Sequence, residues 1–236
     1  YVASLSPVWV SQLGDASGHW FDFPQTGQGF AGVNGIYGCT AVIIASERGV
    51  YLSHIWENPV FIDIDWNPTD DASFNANAFE ALRDGTAYAQ SITALVGDDA
   101  NPGVLNAIYS PKVFVLTPFT GPNDPTGITT RFRYQDRAQQ LADNLASVIP
   151  GSGGSGYLLG YTRTNQKLST EDIGTWGRAI FEVDVLQSVL MTPFAPEGSL
   201  GLRIGRWRLW VEDQLITYQD FWIPDVTPAG NQKRQD

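Results

Sequence analysis

Thr40-Ala41-Val42-Ile43-Ile44-Ala45, Ser46-Glu47-Arg48-Gly49 and Val50-Tyr51-Leu52-Ser53-His54-Ile55-Trp56 follow one another without a break. The outer runs are β-branched and aromatic, as strands are. The polar tetrapeptide between them ends on a Gly able to take φ > 0, so the stretch predicts a β-hairpin. Upstream, the first 35 residues are rich in Gly, Ser and aromatics and carry no helical period. They read as loops with one strand at Val8 to Gln12.

Downstream, Asp70 and Asp71 precede Phe74, Ala78, Phe79 and Leu82 at helical spacing. This predicts a helix over Ala72 to Arg83 with an acidic first turn, ended by Gly85. A weaker helical pattern covers Ala87 to Leu95, and Lys112 to Thr117 reads as a strand stopped by Pro118. Gly121 to Thr129 reads as a loop. Arg137, Gln140, Leu141, Asn144, Leu145 and Val148 give a third helix stopped by Pro150. Gly151 to Gly156 is a flexible connector without the Gly-Lys-Ser/Thr of a phosphate loop. Strands follow at Tyr157 to Thr162, Arg178 to Leu186, Arg206 to Val211 and Leu215 to Tyr218. These late strands need a partner layer, which argues against a domain boundary at the connector. The expected fold is therefore α/β (α+β): a mixed, largely antiparallel β-sandwich flanked by two or three helices. It would form one domain over 1–229, with a disordered tail at 230–236.

Composition sets the outer limits. Of 236 residues, 43% are hydrophobic and 17% charged, enough apolar material for a sizeable core. No apolar run approaches the roughly 20 residues of a membrane-spanning helix, so membrane insertion is not expected. The formal charge of −11 repels phosphate backbones and anionic lipid, so nucleic acid is not expected as a partner. The single Cys39 cannot form an internal disulfide. With only His19 and His54 beside it, it cannot complete a Cys-rich zinc site, and neither metal nor cofactor is expected. Tyr1 in place of an initiator Met, scarce Lys (Lys112, Lys167, Lys233) and plentiful Trp, Tyr, Gly, Asn and Thr suggest a secreted protein with its signal removed. No N-glycosylation site supports this, since Asn67-Pro68-Thr69 has Pro where the acceptor motif forbids it.

Cys39 opens the first hairpin strand and His54 lies fifteen residues on, in the second. Pairing the two centres the turn between Ser46 and Glu47, with Ala41 facing Leu52 and Ile43 facing Val50. Sulfur and imidazole would then touch. A slip of one residue would send them to opposite faces. A thiol beside an imidazole is a nucleophile with its base attached. Gly38 leaves room for an acyl group, and the Cys39 backbone N–H could face a developing oxyanion. The plain alternative is that a lone Cys on an apolar strand is core.

The stretch Gly38-Cys39-Thr40-Ala41-Val42-Ile43-Ile44, then Gly49-Val50-Tyr51-Leu52-Ser53-His54, resembles the Cys/His glutamine deamidases: the chemotaxis receptor deamidases and the cytotoxic necrotizing factor toxins. The resemblance covers about 20 residues. It implies a β-sandwich core flanked by helices and hydrolysis of a glutamine carboxamide in a target protein to glutamate and ammonia. It also implies Cys39 as nucleophile and His54 as base. The chemotaxis-type enzymes carry a Thr six residues before the Cys, where this chain has Val33. Asn34, or a backbone carbonyl as in the toxin branch, is then the candidate group to orient the imidazole. An amine in place of water would make the same site a transglutaminase.

Rival readings are a thiol peptidase and a non-enzymatic secreted binding protein directed to carbohydrate or cell surface. Trp207 and Trp210, interleaved with Arg206 and Arg208, either pack one sheet face or form an aromatic platform. Asp63 and Asp65 are either a glycosidase-like pair or a solvated strand edge. Glu57 either lines the cleft or is exposed, and His19 reads as a loop residue.

Overall fold

Every residue of two strands, β4 (Ala41–Ala45) and β5 (Gly49–Ile55), is buried in the computed structural model, which describes residues 1–24, 27–122, 124–163, 174–185 and 202–224. Strands that read as continuous apolar runs are strands covered on both faces. They are central in a five-stranded sheet ordered β2-β5-β4-β6-β7, where β2 is Ala16–Asp22, β6 Lys112–Pro118 and β7 Tyr157–Tyr161. Its pairs are antiparallel except β6 with β7. A second sheet runs β1-β3-β8-β9-β10, from β1 (Val8–Trp9), β3 (Gly27–Val33), β8 (Ala179–Val185), β9 (Leu202–Val211) and β10 (Gln214–Pro224). It is antiparallel except β1 with β3.

Period-two alternation gives the first sheet two different faces. Cys39, Ala41, Ile43, Val50, Leu52, Phe114, Leu116 and Tyr161 face the second sheet, whose Phe181, Val183, Trp207, Leu209 and Phe221 complete the sandwich core. Val42, Ile44, Tyr51, Ile55, Val113 and Val115 face a helical layer. That layer contains α1 (71–84), α2 (Ile92–Val96) and α3 (Gln135–Val148). In α1 the α-helical turns Asp71–Phe74 and Ala81–Asp84 flank a π-helical Asn75–Glu80. Asp70 caps its start by accepting the Ser73 N–H, and Gly85 ends it at φ +86. The architecture is an α+β sandwich, and among the described residues the α-helices lie on the side of the first sheet.

The local expectations meet the structure unevenly. The hairpin, α1, α3, β6 and the strands after the connector lie where the patterns put them, although β9 and β10 extend further. The first 35 residues hold β2 and β3 besides β1, not loops with one strand, and His19 therefore sits on a strand. β1 stops at Trp9 rather than Gln12. The helix expected from Ala87 starts only at Ile92, because Ser91 caps it by accepting the Ala94 N–H. Trp207 and Trp210 lie on opposite faces: Trp207 is in the sandwich core, while Trp210 bonds through Nε1 to Glu182 on the outer face. Asp63 and Asp65 form no strand; Asp63 Oδ1 accepts the N–H groups of Asp65 and Asn67 in a turn. The tail 230–236 lies outside the described residues. Among those residues, no helix is long and apolar enough to cross a membrane.

Candidate active site

The hairpin register differs from the expected one by two residues. Ile43 faces Leu52, Ala45 faces Val50, and Thr40 bridges Ile55 through both backbone bonds, at 3.0 and 2.8 Å. The loop is Glu47-Arg48, closed by the Ser46 N–H on the Gly49 carbonyl at 3.0 Å. Ser46 is pinned there: its hydroxyl donates to the Val104 carbonyl at 2.9 Å and accepts the Arg48 N–H. In this register Cys39 comes opposite Trp56 and His54 opposite Ala41. A shift of two preserves the face, so Cys39 and His54 stay on the sandwich side as diagonal neighbours, a Cβ spacing on the order of 7 Å in a regular ladder. The ladder is irregular at this point, since the Val42 N–H goes to the Ser53 hydroxyl at 3.1 Å.

Cys39 is 4% exposed and His54 is 0% exposed. Among the described residues, no hydrogen bond joins them and neither imidazole nitrogen has a partner. The ring packs edge-on against Trp56, centroids 4.8 Å apart. Burial pushes His54 down to about 4; the Gly35 backbone pulls the other way but makes no bond of ordinary geometry, so burial wins. Burial likewise pushes the Cys39 thiol up to about 11, opposed by the Glu57 N–H. Both shifts have the same cause and favour the uncharged forms: burial penalises the thiolate and the imidazolium alike. The closed site therefore holds a neutral thiol and a neutral imidazole.

The other expected residues fall around this pair. Asn34 Oδ1 accepts from Gln12 Nε2 at 2.7 Å, so its side chain is tied to Gln12. The Cys39 carbonyl is fixed by the buried Tyr161 hydroxyl at 2.7 Å. At Gly38 a Cβ would lie 2.3 Å from Glu57 Oε2 and 3.2 Å from Arg163 Nη2, so only glycine lets these charged groups approach the residue before Cys39.

Glu57 belongs to a network with no local sequence signal. Its carboxylate takes Arg163 Nη2 at 2.8 Å, Arg133 Nε at 3.5 Å and the Tyr134 hydroxyl. Both arginines also hold Asp124. The Glu57 and Asp124 side chains are 13% and 4% exposed, so these are desolvated ion pairs. Among the described residues, no three His, Cys, Asp or Glu side chains converge as a metal site requires. No protein-family model matches the chain, and no curated protein does.

Proposed function

We propose that the protein is a Cys/His-dependent amidohydrolase acting on a glutamine side chain of a protein substrate, outside the cell, with Cys39 as nucleophile and His54 as base. The observation that carries this reading is His54. A fully buried imidazole with both nitrogens unpartnered costs on the order of 1–3 kcal/mol per unsatisfied group, and it lies diagonal to the single cysteine on the same sheet face. An apolar residue would serve the core better.

In the reaction, His54 takes the Cys39 proton as sulfur attacks the carboxamide carbon. The C–N bond then breaks while the imidazolium protonates the departing ammonia. Water, deprotonated by His54, attacks the thioester carbon; the C–S bond breaks, and glutamate and the free thiol result. A glutamine side chain reaches sulfur only after the site opens, and opening also rehydrates the imidazole and raises its basicity.

The test is incubation with unfolded casein, following ammonia release and the conversion of glutamine to glutamate by mass spectrometry. Ammonia release that disappears in Cys39→Ala and in His54→Ala is expected. New chain termini would make the protein a thiol peptidase, and no Cys39-dependent product would leave the binding-protein reading. That second reading rests on Tyr218 and Trp222, 57% and 58% exposed on the outer face of β10, in the other sheet from Cys39.

A further inference from the structure

The neutral pair in the closed site needs a positive charge other than imidazolium if Cys39 is to ionise. The charged and titratable groups around the thiol come from three elements. β5 and its continuation bring His54 and Glu57, and β7 and its continuation bring Tyr161 and Arg163. The segment between β6 and α3 brings Asp124, Arg133 and Tyr134, which touch Glu57 or Arg163 rather than the thiol.

We propose that Arg163 is a positioning residue for the nucleophile, its guanidinium held beside Gly38 by Glu57 so that it favours the Cys39 thiolate, while the Glu57 carboxylate opposes it. This rests on the reading of Cys39 as the nucleophile. Two features of the geometry support it. The Glu57 carboxylate and Arg163 guanidinium crowd the missing Cβ of Gly38, next in the chain to Cys39. The cluster is also desolvated, and buried ion pairs are a poor way to stabilise a fold, since apolar residues of equal volume do as well or better. The two charges act on the thiol with opposite sign, Glu57 raising and Arg163 lowering its ionisation point. A carboxamide N–H₂ that hydrogen-bonds to Glu57 would weaken the opposing charge and leave Arg163 in control, so a primary amide would favour the thiolate as it binds.

The experiment is the pH profile of iodoacetamide alkylation on the full chain, in which Cys39 is the only cysteine. Glu57→Gln is expected to lower the midpoint by about one pH unit, and Arg163→Gln to raise it by about as much; Arg163→Lys keeps the charge and stays near wild type. Should Glu57→Gln not fold, the comparison of Arg163→Gln with Arg163→Lys carries the test, since removing the charge raises the midpoint and keeping it does not. Loosening alone would speed alkylation in both neutralised variants. Shifts of the same sign, or none, therefore overturn the proposal. Opposite shifts uphold it, and they do so even if no glutamine substrate releases ammonia, which would remove the deamidase reading alone.

Discussion

His54 is held neutral inside the sandwich, and that ties stability to pH at one residue. Its ionisation point falls from 6.5 to about 4 on folding, so between those values the unfolded chain binds more protons than the folded one. The contribution is fully present above pH 6.5 and is lost as pH falls towards 4. The predicted loss at pH 4.5 relative to pH 7 is about 2 kcal/mol from this residue, measured as the difference in urea unfolding free energy between wild type and His54→Gln. Parallel losses in the two proteins would show that the imidazole is not buried neutral. Cys39 gives the opposite limb. Its thiol rises from 9.0 to about 11 on folding, so stability falls as pH climbs from 9 towards 11. Cys39→Ala is predicted to flatten that alkaline limb in the same urea titration, and an unchanged slope would place the thiol in water.

At the scale of elements, Ser91 joins two helices. Its hydroxyl donates to the Arg83 carbonyl at 2.9 Å, near the end of α1, and accepts the Ala94 N–H at the start of α2. Ser91→Ala is predicted to destabilise the protein by about 1 kcal/mol in urea unfolding, the ordinary cost of a lost N-cap; a loss under a few tenths would mean the cap is dispensable. The Ser91 cap is not read from the sequence, whose pattern puts this helix from Ala87; the acidic start of α1 is, as are the apolar runs of β4 and β5 and the helical spacing of α1 and α3. β2 and β3 are not, because their glycines dilute the strand signal for tertiary reasons. A Cβ at Gly18 would meet the Tyr51 hydroxyl at 2.0 Å, and one at Gly32 would meet the Trp9 ring at 2.7 Å. The shared face of Cys39 and His54 was readable from alternation. Their register was not: the loop is Glu47-Arg48 rather than one centred between Ser46 and Glu47, and Ser46 is bonded to Val104, far away in the chain. Arg163, Arg133, Asp124 and Tyr134 come to Glu57 from separate loops, and no spacing rule connects them.

For the whole molecule, the decisive feature is that one sheet serves two cores. Along β4, Ala41 and Ile43 belong to the sandwich core while Val42 and Ile44 belong to the helical layer, and β5 divides its residues the same way. Neither core can lose its packing while that sheet stays intact in the other, so both should melt in one transition. Trp207→Leu strikes the sandwich core and Leu141→Ala the helical layer, both at positions no more than 1% exposed. Each is predicted to cost about 3 kcal/mol, the usual range for a large-to-small core change. In each variant, far-ultraviolet ellipticity, which reports α3 among other elements, and tryptophan fluorescence should shift to the same new urea midpoint. If Leu141→Ala moved the ellipticity midpoint while fluorescence kept the wild-type one, the helical layer would be a separate folding unit. The site at the end of β4 and β5 would then rest on the sandwich alone. Coincident midpoints tie the charge cluster around Glu57 to both cores, because Tyr134 leads into α3 while Glu57 follows β5.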